Sequence, residues 1–314
     1  MNRKSAAILL IAFLAALTTT ETQLTNMVNA NFAILLPTIT IKSGGSVEPE
    51  TDYITQMGNV YALTGDIKGK FALVIASSDI IIEGCGHVVN GSASSSRNPK
   101  LGFANNGLRL QGVSNVTVKN LTVTGFMDRQ IRIDSCRNCY FFGLNGEFNS
   151  YDCSANTFTN CSIGGKLWAS TNNIITKCNV SYINLENSNA TIFENNFLYQ
   201  NCVEVYPPDK AVLWDNGSIG NCWSDYLEKY PNASEVGNTG VGDTPYVIDA
   251  NNVDNYPLMV PFQQLPAPTP QPPEPTQEAE PFPTLIVAGA TGALAIIAAS
   301  LGFVYYKRKS IGNN

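Results

Sequence analysis

Apolar residues recur at fixed intervals between Val113 and Tyr199, and the rest of the chain is organised around this stretch. Aligned on its apolar positions, the stretch places one residue of each repeat in a first column: Val118, Phe141, Phe158, Ile175 and Ile192. The first interval is 23 residues, and the next three are 17 residues each. A period of about 20 residues, built from short runs that alternate apolar and polar positions, predicts a β-solenoid of stacked coils.

Two further columns accompany the first. A second column lies three residues later in each repeat: Leu121, Leu144, Cys161, Cys178 and Asn195. A third column lies three residues earlier: Asn115, Asn138, Ala155, Asn172 and Asn189. Because asparagine tolerates the left-handed backbone of a sharp turn, the third column predicts the corners of the coils. Since successive coils stack about 4.8 Å apart, we expect the apolar columns to form a continuous core.

The chain on either side of this stretch divides into segments of distinct composition. The predicted order is a signal peptide (1–21), an N-terminal cap (22–70), the parallel β-helix (71–205), a C-terminal cap (206–262), a proline-rich stalk (263–284), a transmembrane helix (285–306) and a cytoplasmic tail (307–314). The apolar run 285–306 carries no charge and is followed by three basic residues, which favours a membrane span with its tail in the cytoplasm. The alternatives are an uncleaved N-terminal anchor and a C-terminal sorting signal that is removed.

Charge and composition limit the partners of the chain. The net charge is −6, and only 14% of the residues are charged. Nucleic acid is not expected as a partner, because the sequence has no basic patch to neutralise phosphates. The single histidine, His87, leaves little scope for histidine-based metal or acid–base chemistry.

Several stretches of the sequence resemble one known family. They are "IKSGGSVEPETDYITQMGNVYALTGDIKG" (41–69), "IIIEGCGHVVNG" (80–91), "GLRLQGVSNVTVKNLTVTGF" (107–126), "LWDNGSIGNCWSDY" (213–226) and "GVGDTPYVIDANNVDNYPLM" (240–259). They are similar to archaeal surface proteins of the NosD-like class, and the last two stretches are the most specific. The resemblance implies a right-handed parallel β-helix of about six or seven coils, capped at both ends, whose domain is often called carbohydrate-binding and sugar-hydrolase-like.

The same resemblance brings copper-site maturation, the activity linked with NosD itself, as an alternative function. A copper site needs histidine, cysteine and methionine in a defined cluster, whereas this chain has one histidine and five scattered methionines. A zinc site formed by Cys136, Cys139, Cys153 and Cys161 is also disfavoured, because the second pair is spaced too widely for a zinc knuckle. The first three of these cysteines, and Cys222, are departures from the pattern of the family.

The eight cysteines of a chain predicted to be exported also suggest disulfides. Cys85, Cys161 and Cys178 fall in the second column, where cysteine serves as a small apolar filler. Cys202 ends the last coil and Cys222 lies in the C-terminal cap, so the sequence predicts a disulfide between them. Such a bond would join the cap to the solenoid and stabilise it by roughly 2–4 kcal/mol.

The densest cluster of charge in the predicted solenoid lies in residues 128–134. Arg109 and Arg132 each precede an inward apolar residue in matching runs, so we expect them to stack on neighbouring coils. Together with Asp134 they form the predicted glycan-binding face, and a solvated ion-pair surface is the alternative. A glycan-cleaving enzyme would need two carboxylates on one exposed face, and the sequence identifies no such pair and no catalytic residue.

Two further polar features receive structural interpretations. His87 falls where the solenoid pattern places Val123 and its equivalents, which predicts a partly buried histidine bonded to the backbone. A run of oxygen-bearing side chains suits calcium by chemistry but lacks the spacing of a calcium loop, so turn-forming residues are the alternative: Asp243, Asp249, Asn251, Asn252 and Asp254. No other cofactor is expected.

Asn-x-Ser/Thr sequons are the strongest surface signal of the sequence. The candidate N-glycosylation sites are Asn90, Asn115, Asn120, Asn160, Asn179, Asn189, Asn216 and Asn232. Several of them fall at predicted coil corners, which are exposed, so we expect some of them to carry glycan.

These observations predict a single-pass cell-surface protein whose extracellular β-helix binds polysaccharide or envelope proteins without catalysis. The alternative from another class is a polysaccharide-active hydrolase or lyase. A solvent-facing groove that holds two carboxylates about 5–10 Å apart would favour the enzyme.

Overall fold

The computed structural model describes residues 38–69, 72–91, 106–126, 129–207 and 212–263. These residues form an all-β parallel solenoid with almost no helix, which confirms the all-β, parallel part of the predicted fold class. The predicted signal peptide (1–21), membrane helix (285–306) and tail (307–314) lie outside the described residues, as does the predicted stalk (263–284) beyond its first residue. Within the described part of the chain, no helix is long and apolar enough to cross a membrane.

The strands are short, with two to eight residues each. In chain order they are β1 (Thr38–Ile41), β2 (Val47–Glu48), β3 (Ile54–Met57), β4 (Val60–Leu63), β5 (Ile67–Gly69), β6 (Ala72–Ile75), β7 (Ile81–Glu83), β8 (Val88–Gly91), β9 (Asn106–Gln111), β10 (Thr117–Lys119), β11 (Thr122–Thr124), β12 (Arg129–Asp134), β13 (Tyr140–Phe142), β14 (Asn145–Tyr151), β15 (Thr157–Thr159), β16 (Ser162–Trp168), β17 (Asn173–Thr176), β18 (Asn179–Glu186), β19 (Ala190–Phe193), β20 (Asn196–Phe197), β21 (Val203–Tyr206), β22 (Cys222–Trp223), β23 (Tyr246–Val247) and β24 (Val253–Asp254). A single helical turn, α1 (Tyr226–Lys229), follows β22.

Each coil of the solenoid contributes to three faces. In the first face, β4, β7, β10, β13, β15, β17 and β19 stack in parallel, which corresponds to about six turns. In the second face, the parallel stack begins with β5, β8 and β11. It continues with the first residues of β14, β16 and β18 and ends with β20 and β22. In the third face, the parallel stack begins with β1, β6, β9 and β12. It continues with the remaining residues of β14, β16 and β18 and ends with β21. Because β14, β16 and β18 run across the bend, the second and third faces form one sheet.

The strand register of the first face confirms the first predicted column. The successive partners in this column are Ile82, Val118, Phe141, Phe158, Ile175 and Ile192. All of them are buried, and the rings of Phe141 and Phe158 stack with their centroids 4.5 Å apart. This column therefore forms the centre of the hydrophobic core, as the alternation of apolar and polar positions requires.

The second column becomes a buried ladder of side-chain hydrogen bonds towards the C-terminal end. The N–H of Cys161 donates to Sγ of Cys178 at 3.4 Å, and the N–H of Cys178 donates to Oδ1 of Asn195 at 2.9 Å. The N–H of Asn195 then donates to Oδ1 of Asn221 at 3.2 Å. Because each side chain satisfies an amide of the preceding coil, polar residues are tolerated inside the core.

The structure corrects the predicted positions of two residues near the first full coil. Cys85 is half-buried with a φ of 52°, because Gly84 takes the buried position against the backbone of Leu121. Val89, and not His87, is in register with Val123. His87 lies at the preceding corner, where its Nδ1 is 3.3 Å from Oδ1 of Asp66.

The third column forms corners, as predicted. Asn115, Asn138, Ala155 and Asn172 all have φ between 54° and 57°, in the left-handed region. Asn189, the last member of the column, is not in this conformation, and Asn187 has the positive φ at that corner (50°). Asparagine is favoured at these positions because its side chain tolerates a backbone conformation that costs other residues energy.

Antiparallel pairs close the N-terminal end of two faces. β2 pairs with β1 in the third face, and β3 pairs with β4 in the first face. β1, β4 and β5 already pair in parallel with strands of the next coil, so the solenoid begins before residue 71, inside the predicted N-terminal cap.

Aromatic side chains close the C-terminal end. The indole of Trp223 stacks between the rings of Phe197 and Tyr246, with centroid distances of 4.2 Å on both sides. Trp214 is also buried and packs against Trp223 at 5.8 Å. The cap thus continues the core of the last coil with large rings, which exclude water from its open end.

Candidate functional site

The outward side of the third face carries the predicted glycan-binding residues. Ile131 and Ile133 are buried, so Arg132 and Asp134, which alternate with them along β12, point outward. We use the name charged-aromatic face for the outward residues Arg109, Arg132, Asp134, Tyr151, Lys166, Trp168 and Glu186.

Arg109 and Arg132 are register partners on neighbouring coils, which confirms that the two residues stack. Nε of Arg132 donates to both carboxylate oxygens of Asp134, at 3.0 and 2.7 Å. Nη2 of Arg109 lies 3.5 Å from the same carboxylate. Asp134 therefore holds two guanidinium groups in fixed positions, and all three side chains are about one-fifth exposed or less.

A column of aromatic side chains continues from Asp134 along the axis of the solenoid. Asp134 is in register with Tyr151, and Tyr151 with Trp168. The guanidinium carbon of Arg132 lies 4.9 Å from the centroid of the Tyr151 ring, and the rings of Tyr151 and Trp168 are 6.0 Å apart. The Trp168 side chain is 40% exposed, so a large apolar surface faces solvent beside fixed charges.

A second ion pair borders Trp168 on the side of the C-terminal cap. The ammonium group of Lys166 contacts the carboxylate of Glu186, and Nε1 of Trp168 donates to Oε1 of Glu186 at 3.1 Å. The hydrogen bond from Lys166 lowers the pKa of the Glu186 carboxyl. The indole is thereby held in one orientation, which reduces the entropy that a ligand would have to remove on binding.

This arrangement combines an exposed indole with hydrogen-bonding groups in fixed positions. Sugar rings present apolar C–H faces and equatorial hydroxyls, so they pack on aromatic rings while charged side chains bond their edges. The face is built from side chains of successive coils, at the strand spacing of about 4.8 Å. Its geometry therefore suits an extended ligand more than a compact one.

Two concavities lie apart from the charged-aromatic face. A groove of about 440 Å³ follows the bend between the second and third faces, lined mainly by hydroxyl and amide side chains and by one carboxylate, Glu147. A cleft of about 410 Å³ lies between the loop 199–202 and the C-terminal cap, and its walls carry Asp225 and Glu228. The sequence alone pointed to neither concavity.

Two carboxylates, those of Asp225 and Glu228, line this cleft. Asp225 and Glu228 are three residues apart at the start of α1, a spacing that brings side chains to one side of a helical turn. Asp225 accepts the hydroxyl of Tyr246 at 2.9 Å, and Glu228 accepts Nε2 of Gln200 at 2.9 Å. Both carboxylates are thus bonded to side chains of the protein.

The predicted disulfide is absent from the structure, in which Cys202 and Cys222 are free thiols. Cys222 is in register with Asn196 in the second face, whereas Cys202 precedes β21 in the third face. The two residues therefore lie on neighbouring faces of the solenoid. Burial raises the pKa of the Cys222 thiol to about 11, so this thiol is protonated at neutral pH.

The cysteines considered for zinc pack inside the solenoid. The N–H of Cys136 donates to Sγ of Cys153 at 3.3 Å, so these two residues form a short ladder like that of the second column. The hydrogen bond with Cys139 raises the pKa of Cys136 to about 11. Cys161 lies in a separate column. Across the described ranges, no group of three or more His, Cys, Asp or Glu side chains is placed to hold a metal ion.

Asp254, one of the residues considered for calcium, is buried and ends the polar ladder. Its carboxylate accepts the N–H of Asn221 at 2.7 Å, Nε1 of Trp223 at 2.9 Å and the N–H of Tyr256 at 3.1 Å. Burial raises the pKa of this carboxyl to about 6 in spite of these donors. Its place in the core gives it a structural role in the cap.

The other oxygen-bearing residues of this segment stabilise turns. Oδ1 of Asp249 accepts the N–H groups of Asn251 and Asn252, at 2.8 and 2.9 Å. Asp243 accepts the N–H of Ser234 at 3.0 Å. The carboxylates therefore bond the protein's own amides, as turn-forming residues do.

The predicted glycosylation sites differ in exposure. Asn90, Asn115, Asn216 and Asn232 are exposed, whereas Asn120, Asn179 and Asn189 are half-buried. Asn160 is 8% exposed, so it is a poor acceptor for a bulky glycan.

The sequence missed the aromatic part of the charged-aromatic face, although it contains the signal. Asp134, Tyr151 and Trp168 follow one another at the same interval of 17 residues as the core columns. An outward column of this period is visible only when polar and aromatic positions are aligned together with the apolar ones.

No protein-family model matches the chain, and no curated protein matches it either.

Proposed function

We propose that the protein binds extracellular polysaccharide through its charged-aromatic face, without catalysis. The observation that carries the proposal is the exposed indole of Trp168, held by Glu186 and aligned with Tyr151 and the Arg132–Asp134 pair. Exposed aromatic rings are the usual anchors of interfaces, and here neighbouring charges fix their orientation. The features predicted outside the described residues would display this face at the cell surface: a cleaved signal, a proline-rich stalk and one membrane helix.

The proposal is tested by probing a glycan array with the purified full-length protein in detergent micelles. Any glycan that binds is then titrated calorimetrically against the wild type, Trp168→Ala and Tyr140→Ala. Tyr140 is the matched control, because it is also 40% exposed but lies on the first face. Trp168→Ala should weaken binding about tenfold or more, as expected for the loss of an aromatic anchor, whereas Tyr140→Ala should not. Equal effects of the two substitutions, or no binding to any glycan, would refute the proposal.

Glycan hydrolysis is the second candidate function, and the pair Asp225 and Glu228 in the cleft is the observation that favours it. Its test is the release of reducing ends from the glycans that bind, compared between the wild type, Glu228→Gln and Asp225→Asn. Release that either substitution abolishes would identify an enzyme with a pair of carboxylates.

The likeness to NosD-like archaeal surface proteins rests on the sequence motifs and belongs to the same proposal. Copper-site maturation, which that likeness brings as an alternative, gains no support from His87, because its ring faces Asp66. We therefore place glycan binding first.

A further inference from the structure

The last coil of the solenoid has strand pairing on two of its three faces. On the first face, Leu213 pairs with Thr191 in an isolated parallel bridge. On the second face, β22 pairs with β20. On the third face the sheet stops one strand earlier, because β21 pairs with β18 and with no other strand of the described residues. The third face therefore ends in an open parallel edge beside the cap.

The backbone of β21 presents hydrogen-bonding groups along this edge. Carbonyl oxygens of Cys202 and Tyr206 accept N–H groups of the β18 side, from Ile183 at 2.8 Å and Asn187 at 2.7 Å. Because successive residues of a parallel strand bond to opposite sides, the N–H and C=O groups of Val203 and Val205 point away from β18. None of these four groups has a hydrogen-bond partner among the described residues.

The side chains of β21 leave two core columns incomplete. Val203 continues the column of Ile183, and Val205 continues the column of Leu185. Ile183 and Leu185 are buried, whereas both valines are only half-buried although they pack against the core. A further strand with apolar residues at alternate positions would cover them, as each coil covers the previous one.

The cleft of about 410 Å³ lies beside the start of β21 and extends to the cap. Its lining includes Cys202 and Val203 on one side and Asp225, Glu228 and Lys229 on the other. Two carboxylates against one ammonium group give this wall a negative charge. The cleft thus offers space next to the open edge and favours a cationic occupant.

We propose that this open edge binds an extended peptide segment of a partner protein, which adds a strand to the third face. The segment would carry apolar residues at alternate positions over Val203 and Val205, and a lysine or arginine near Asp225 and Glu228. Strand addition of this kind obtains affinity from main-chain hydrogen bonds and specificity from alternate side chains. Many proteins protect edge strands with lysine or proline. β21 contains neither, its one charged residue is Glu204, and Pro207 follows it directly.

A second copy stacked end to end is disfavoured as the occupant. The opposite end of the third face is closed by β2, which is antiparallel, has two residues and is followed directly by Pro49. Proline has no N–H to donate to a neighbouring strand. Another molecule therefore offers no matching edge at that end.

The test uses the purified full-length protein in detergent micelles and a random peptide library displayed on phage. The peptides that are enriched should alternate apolar and polar residues and contain a basic residue. They are then synthesised and titrated against the wild type, Val205→Pro and Val205→Ile. Because the N–H of Val205 points away from β18, proline removes a bond to the ligand and none within the sheet, whereas isoleucine keeps that bond. We expect binding to weaken at least tenfold for Val205→Pro and to change less than threefold for Val205→Ile.

A test on the ligand side does not depend on the folding of a variant. N-methylation of alternate amides in an enriched peptide should abolish binding in one phase of the alternation and preserve it in the other. The proposal is overturned if no peptide is enriched, if enriched peptides lack the alternation, or if both N-methylated series bind equally. It is also overturned if the wild type forms a dimer in light scattering that Val205→Pro converts to a monomer. None of these outcomes depends on whether the charged-aromatic face binds glycan.

Discussion

Replacing Asn195 by leucine tests whether the buried ladder stabilises the solenoid. Asn195 is fully buried, and its Nδ2 donates to the carbonyl oxygens of Ile175 and Phe193, both at 2.9 Å. Its Oδ1 accepts the N–H of Cys178 at 2.9 Å. Since Leu144 occupies the same column two coils before Cys178, leucine suits the column, and the substitution chiefly removes hydrogen bonds.

The magnitude follows from the groups that lose a partner. The N–H of Cys178 remains buried without an acceptor, which costs about 1–3 kcal/mol. Two carbonyl groups lose a donor, at about 0.5–1.5 kcal/mol each, and the added apolar burial of leucine offsets roughly 1–2 kcal/mol. With the middle of each range, we expect the free energy of unfolding to fall by about 2.5 kcal/mol.

Urea unfolding of the purified protein measures this change. Far-ultraviolet circular dichroism reports the strands, and tryptophan fluorescence reports the cap through Trp214 and Trp223, which are buried there. Asn90→Leu is the control, because this exposed asparagine lies on β8 and a surface substitution changes stability by about 0.5 kcal/mol or less. A variant Asn195→Leu as stable as this control would refute the idea that the ladder contributes to stability.

Two further predictions concern the cap and the core. The folded-state pKa of Asp254 is about 6 against an ordinary value of 3.8, so protonation stabilises the fold, and the contribution is complete below pH 4 and lost as the pH rises to about 6. The stability difference between wild type and Asp254→Asn should therefore change by roughly 3 kcal/mol across this window in urea titrations, and a pH-independent difference would contradict it. Gly165→Ala would place a Cβ 2.1 Å from the carbonyl oxygen of Phe148, so its thermal midpoint should fall steeply, whereas Gly44→Ala, which meets no atom within 4 Å, should leave it unchanged.

The stacked core could be predicted from the sequence because the interval of 17 residues is a property of the coil itself. Residues one coil apart are register partners, as with Phe158 and Ile175, so the same environment recurs at the same interval. Alternation then separates inward from outward positions. The pairing of Arg109 with Arg132 was predictable for the same reason, even though the interval there is 23 residues.

The ends of the solenoid could not be predicted in the same way, since no repeat constrains them. The parallel strands β4 and β5 belong to the solenoid but lie before its predicted start at residue 71. The prediction missed them because their sequences do not align with the repeat of the later coils. At the other end, Cys202 and Cys222 are close in sequence to the junction of solenoid and cap but lie on different faces. Proximity along the chain carries no information about the face on which a residue lies.

The register that builds the core also determines where binding can occur. An inward column accepts only residues that fill the interior or complete a ladder, as Phe158 and Asn195 do. An outward column has no such restriction. An aromatic residue at an outward position, such as Trp168, does not disturb the packing of the core, and it leaves a large apolar surface in contact with water. Since stacking repeats each outward position every coil, a few substitutions at one interval produce a continuous surface parallel to the axis. The charged-aromatic face and the open edge of β21 are therefore two consequences of the same geometry: the first arises along the stack, and the second where the stack stops on one side.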